Sequence, residues 1–177
     1  MDLGLNGKTV LVTGGSRGIG LEAALAFARE GARPILASRD AASLAQAALA
    51  VQEITGTDCA VFAGDLGQDQ ARQDLAAAFP DIDILVNNDS AISPTLTPNT
   101  DIKRFDLMHQ ITTSGTFLCS TLCLPHLARS SNGHILMIST PLNLEAPRFA
   151  PHVHFSIAQT RISLCLRSTA ADLRSLG

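Results

Sequence analysis

Thr13-Gly14-Gly15-Ser16-Arg17-Gly18-Ile19-Gly20 is a run whose residue types can hold a phosphate. Glycines at 14, 18 and 20 allow a tight turn and bring backbone close to an anion. An apolar run, Lys8–Thr13, precedes it and an Ala/Leu-rich stretch follows. A helix starting there would add free N–H groups and a positive dipole end. In that setting the run predicts a dinucleotide-type site built from Gly14, Ser16, Arg17, Gly18, Ile19 and Gly20. The plainer alternative is a turn needed only to pack helix on sheet. A second run ends in Ala37-Ser38-Arg39. An acidic residue there would bind ribose hydroxyls and repel a 2′-phosphate. Arg39 and Arg17 instead suit that phosphate, which favours NADP over NAD, unless both are merely solvated.

Other reactive side chains make weaker patterns. Cys59, Cys119, Cys123 and Cys165 match no zinc-site spacing. Cys119, Cys123 and His126 recur at i, i+4, i+7, which reads as buried packing rather than metal ligation, and no metal site is expected. Asp101, Asp106 and Glu145 form no carboxylate pair suited to acid–base work, and Met108, Met137 and Phe117 read as core.

The elements that must carry these residues alternate. Strand-like runs fall at Lys8–Thr13, Pro34–Ser38, Cys59–Ala63, Asp83–Val86 and His134–Ser139. Helical stretches fall between them: the first ends at Glu30, with Gly31 as its stop, and others span Ala41–Ile54 and Gln70–Phe79. A long helix runs from Ile102 to Arg129 with a bend near Pro125, and a last one from Pro151 to Leu173. Apolar strands separated by helices predict α/β architecture: a doubly wound, Rossmann-like parallel sheet of five strands in the order 3-2-1-4-5. A length of 177 residues suits one domain spanning the chain.

Composition narrows the classes. The charged fraction is 16%, which argues against disorder or a charged tail. Net charge is −3 with no basic block, so no nucleic-acid surface is expected. The start carries Asp2 and no basic region of a signal peptide, and no apolar run approaches a membrane span. A reducing cytoplasmic setting is the expectation.

Three motifs together carry a family resemblance. The glycine run follows strand one, Asp65 follows strand three, and Asn87-Asn88 follows strand four. In this the chain resembles the short-chain dehydrogenase/reductase family, from about Lys8 to Leu176. The segments SAIS, RFDLMHQ, GTFLCS, CLPHL, HILMIS and PLNL resemble its hydroxysteroid-dehydrogenase-like branch. The resemblance implies a Rossmann domain and hydride transfer between NAD(P) and an alcohol or carbonyl. It implies cofactor contacts at Asp65-Leu66, where Asp65 would meet adenine, and at Asn88.

The family's catalytic pattern is altered. Phe155 takes the place of its Tyr, and Gln159 that of the Lys four residues on. The chain has no Tyr at all. Phe155 has no ionisable proton to give a substrate, and Gln159 no charge to tune one. Thr112 stands where the family has Asn. Thr140, with Ser139 beside it, is the remnant of the Ser that orients the carbonyl. His154 adjoins Phe155, but neighbours on a helix point about 100° apart, so it should not fill the Tyr volume. Asp89 replaces the Ala of the family's Asn-Asn-Ala, and its carboxylate should repel the pyrophosphate. The family continues beyond the position of Gly177 with a sixth strand and a substrate loop, so a truncated member is expected.

Three functions are therefore expected to compete. One is a dehydrogenase-like pseudoenzyme with a weak NADP(H) site and impaired hydride transfer. Another is an interaction protein pairing with itself or with an intact paralogue. The third is an NADP-dependent oxidoreductase using another acid.

Overall fold

The computed structural model describes residues 2–90, 101–130 and 133–138. Five strands form one parallel sheet: β1 (Thr9–Thr13), β2 (Arg33–Ser38), β3 (Ala60–Ala63), β4 (Ile84–Asn87) and β5 (His134–Met137). Their order is β3-β2-β1-β4-β5, as the alternating pattern predicts. Val10 pairs with Ile84 on one side, and Thr9 with Arg33 on the other. Helices α1 (Gly18–Arg29), α2 (Ala41–Thr55) and α3 (Asp69–Ala78) join the first four strands. After them come α4 (Ile102–Met108), a π-helical segment (His109–Gly115) and α5 (Thr116–Arg129).

The period of two along the central strands sorts their side chains onto two faces. Val10 and Val12 of β1, Leu36 of β2, and Ile84 and Val86 of β4 pack with Ala24 of α1 and Leu44 and Ala47 of α2. Leu11, Ile35, Ala37 and Leu85 face the other way, onto Leu75 of α3 and Cys119, Cys123 and Leu127 of α5. Central strands buried on both faces read as continuous apolar runs, which is why they were legible. The outer strands are less covered, and Val61 of β3 is 43% exposed.

The chain divides into two compact units. One is Met1–Asp89 with Cys119–Ile138; the other is Ser90–Leu118 with Ser139–Gly177. The first contains the whole sheet. In the second, the described helix differs from the sequence expectation of one regular α-helix. Its turns widen to π geometry between His109 and Gly115. One added residue per turn leaves no mark in a hydrophobic pattern. Pro125 lies inside α5 as expected.

Asp83, just before β4, ties three elements of the first unit together. Its carboxylate accepts from Lys8 Nζ at 3.1 Å, from the Thr9 N–H at 2.9 Å and from the Ser130 hydroxyl. Burial pushes this carboxyl up, but the hydrogen bonds from Ser130, Thr9 and Lys8 outweigh it and hold it below its ordinary value. A carboxyl depressed in the folded state stabilises the fold above its unfolded value, and that contribution is lost as pH falls through the folded value. Asp83→Asn should therefore cost about 1–3 kcal/mol at neutral pH in urea unfolding. It should also flatten the loss of stability as pH falls below the ordinary carboxylate range, relative to wild type.

Candidate functional site

The glycine run lies where β1 gives way to α1, at the carboxyl ends of the strands, as the sequence predicts. Gly14 has φ +63°, in the left-handed region open to glycine. Gly20 permits the close approach. A Cβ there would lie 2.5 Å from the Gly14 carbonyl oxygen and 2.6 Å from Asn88 Nδ2. The side chain of Arg17, the N-cap of α1, makes no cap hydrogen bond. Its first N–H groups are thus suited to an anion. Ile19 is 66% exposed there, and Ser16 is half-buried.

The end of β4 locks this loop in place. Thr13 Oγ1 accepts from the N–H groups of Asn88 and Asp89, both at 3.0 Å. Asn88 Nδ2 donates to the carbonyls of Thr13 at 3.1 Å and Gly14 at 3.2 Å. Asn88 is thus a strut under the glycine loop, and Thr13 joins the candidate site, a residue that sequence reasoning missed. Its signal was the hydroxyl at the last position of an otherwise apolar strand. Asn87, next to it, is buried and donates to Ser120 Oγ at 3.0 Å, while its Oδ1 has no partner among the described residues.

The end of β2 adds further polar groups to the candidate site. Ser16 Oγ donates to Ser38 Oγ at 3.3 Å, which brings glycine loop and strand end together. Arg17 and Arg39 are exposed, and among the described residues no carboxylate pairs with either. Asp40 follows Arg39, and each of its oxygens already accepts a hydrogen bond. They cap α2 through the Ala42 N–H at 3.0 Å and the Ser43 hydroxyl at 2.6 Å. Those bonds, the Ser43 hydroxyl first, hold its carboxyl below the ordinary range. At the end of β3, Asp65 is exposed and Leu66 buried.

Other candidates have structural explanations. Cys119 and Cys123 are core residues, and burial pushes both thiols up to about 12. Burial likewise lifts Cys59 to about 11, so none of the three is a ready nucleophile. Among the described residues no group of three His, Cys, Asp or Glu side chains could hold a metal ion. Asp101 caps α4 through the Arg104 N–H at 2.8 Å. Thr112 is buried within the π-helical segment. Ser139, Thr140, Phe155 and Gln159 lie outside the described residues, as does the expected helix Pro151–Leu173. A hollow of about 370 Å³ opens among Thr9, Arg33, Ile35, Ala60 and Phe79. It sits at the amino ends of the strands, away from the carboxyl-end crevice where open α/β sheets take ligands.

Residues 8–149 match the family described as short chain dehydrogenase. The chain belongs to that family. It is 41% identical over 180 residues to hydroxysteroid dehydrogenase-like protein 2 of Mus musculus, covering 96% of this chain and 37% of that protein. The corresponding protein of Xenopus laevis is 42% identical over 171 residues, covering 91% and 41%. The chain thus spans about two fifths of the length of these relatives. Among solved structures, a short chain dehydrogenase/reductase family protein superposes with a TM-score of 0.88 at 30% identity, covering 99% of this chain and 71% of the other. An L-sorbose reductase from Gluconobacter frateurii, solved with NADPH and L-sorbose, also gives 0.88. It covers 99% and 67% at 23% identity, a likeness of fold alone. No described helix of this family member is long and apolar enough to cross a membrane.

Proposed function

We propose that this chain is a single NAD(P)-binding domain of the short-chain dehydrogenase family that takes NADP(H) weakly and is impaired in hydride transfer. The observation that carries the cofactor reading is the end of β2. Arg17 and Arg39, exposed and paired with no carboxylate among the described residues, each follow one serine of the Ser16–Ser38 hydroxyl pair in sequence, while the carboxylate of Asp40 caps α2. That combination favours a 2′-phosphate, with the carboxylate nearest the strand end bonded to its own helix. The glycine loop and the open α1 N-terminus fit the pyrophosphate, Ile19 adds apolar surface to the nucleotide wall, and Asp65 with Leu66 suits the adenine. The bound nicotinamide would supply the hydride.

Asp89 opposes the fit. Its Cα lies only 3.0 Å from where a Cβ of Gly14 would stand, so its backbone lies against the loop that would meet the pyrophosphate. Two like charges about 5 Å apart repel by about 1.5–3 kcal/mol at partly buried effective dielectric constants. NADPH should therefore bind with a dissociation constant of about 10–1000 µM. Asp89→Ala and Asp89→Asn should each tighten it about 10- to 100-fold in calorimetric titration, with Asp89→Glu giving no gain. Sub-micromolar binding by the wild-type chain would overturn the weak-site reading.

The catalytic reading rests on sequence. Phe155 and Gln159 replace the acid and its tuning cation, and Thr112 replaces the Asn. What remains is a hydroxyl at Ser139 or Thr140 able to bond a carbonyl. Turnover at an ordinary enzyme rate with any carbonyl substrate would overturn it and favour an acid in another place.

A second reading, association with itself or an intact paralogue, is favoured by apolar side chains in water along the long helix. Ile102 is 68%, Leu107 48% and Phe117 40% exposed. A clean monomer by light scattering at tens of micromolar would count against self-association.

A further inference from the structure

Helix α3 buries two of its side chains, Leu75 and Arg72. Arg72 is 4% exposed, an unusual place for a charge unless it is well paired. Its one carboxylate partner among the described residues, Asp69, has a side chain 80% exposed, so most of that pairing is made in water and contributes little. Its Nε is buried without a hydrogen-bond partner among the described residues. The ion pair therefore does not account for the burial. The remaining contact is the informative one: Arg72 Nη1 donates to the carbonyl of Leu66.

That carbonyl belongs to the Leu66–Gly67 peptide, and the other end of the same peptide is also held. The Gly67 N–H donates to Asp65 Oδ1 at 3.0 Å. Carbonyl and N–H of a trans peptide point in opposite directions. Here the carbonyl points inward to a buried guanidinium, and the N–H points outward to an exposed carboxylate. The Gln68 N–H closes the turn onto the Asp65 carbonyl at 2.8 Å. The Gln68 side chain makes no cap hydrogen bond at the start of α3, so this turn is set largely by those contacts.

We propose that Arg72 is a positioning residue for Asp65: by holding the inner end of the Leu66–Gly67 peptide it keeps the outer end on the Asp65 carboxylate. It thereby fixes that carboxylate for the exocyclic amine of an adenine ring. The proposal rests on the nucleotide-binding reading above. Arg72 itself does not touch the nucleotide. It acts through one peptide plane, from the core side of the turn.

The test uses AMP as the probe, because it carries the adenine without the pyrophosphate that Asp89 repels. Amide hydrogen exchange at Gly67 and Gln68 is followed in parallel. Arg72→Leu should speed both amides about tenfold or more while leaving Leu11 and Leu85 in the central strands unchanged. AMP affinity should fall about five- to tenfold, and Arg72→Lys, which keeps one donor, should recover part of both. In a cycle with Asp65→Ala, the double variant should bind AMP no more weakly than Asp65→Ala alone, since Arg72 acts only through Asp65. A merely structural arginine would add its loss in full. If Arg72→Leu does not fold, Arg72→Gln carries the same comparison. Unchanged exchange at Gly67, or full additivity, overturns the inference. No AMP or NADPH binding by the wild-type chain overturns the nucleotide reading and the adenine role with it, whereas the exchange data decide the peptide clamp on their own.

Discussion

Arg17→Ala combined with Arg39→Asp is expected to shift the NADPH-to-NADH affinity ratio by about two to four powers of ten towards NADH. Each arginine is exposed and follows one serine of the Ser16–Ser38 hydroxyl pair in sequence, and in the proposed site both would serve a 2′-phosphate. A charge-assisted contact of this kind is worth about 1.5–3 kcal/mol, so removing two costs NADPH about 3–6 kcal/mol. NADH has no 2′-phosphate and should lose almost nothing. The aspartate placed at 39 adds a carboxylate that the native site lacks, because Asp40 faces its own helix. Arg39→Ala alone should give roughly half the shift in free energy. The measurement is calorimetric titration with both nucleotides, in an Asp89→Ala background if wild-type affinity is too low to titrate. The NADPH preference should also weaken with added salt, because these contacts are exposed to solvent. An unchanged ratio would mean that both arginines are merely solvated, and the NADP reading would fall.

Much of this site was legible in the sequence because its backbone needs are met by residue type. Gly14 and Gly20 are at positions where a Cβ would be strained or would strike a neighbour, and that demand shows as glycine. The sheet was legible for a similar reason: Val10–Val12 and Ile84–Val86 are buried on both faces and so are uninterrupted apolar runs. The groups that were not legible are set by tertiary contacts. Arg72 lies in the polar stretch Asp69–Ala78, where an arginine reads as solvated, and only packing against the sheet reveals it as buried. Asp40 stands two residues past the strand, and its sequence position alone does not tell a ribose-binding carboxylate from a helix cap. The Ser43 three residues on was the available hint. The π-helical turns around Thr112 left no signal, because the residues there are ordinary helix residues and the widening shifts their facing by only one position.

Phe155→Tyr with Gln159→Lys and Thr112→Asn should raise NADPH-dependent carbonyl reduction by about two to four powers of ten over the wild-type chain, the range that general acid catalysis contributes. The gain is measured from a very low starting rate, and the absolute rate should stay well below the roughly 10 per second of a typical enzyme. Each substitution has a separate role. Tyr at 155 supplies a proton, but an unperturbed phenol with a pKa of about 10 is poorly matched to neutral pH. Lys at 159 supplies the positive charge that brings the phenol down, so Phe155→Tyr alone should recover less than a tenth of the gain, by rough analogy with other acid–base pairs. Thr112 is buried, so Asn there must fit a closed space. The cost in stability should appear as about 1–3 kcal/mol in unfolding and must be measured alongside activity. The pH profile separates chemistry from folding: a restored tyrosine acid should give a rate that falls above the lowered phenol pKa, while Phe155→Tyr alone should keep its activity to higher pH. If NADPH binds and the triple variant remains inactive across a broad carbonyl panel, loss of the acid is not the whole defect. If the wild-type chain matches the triple variant, Phe155 and Gln159 are not where this protein departs from its family's chemistry.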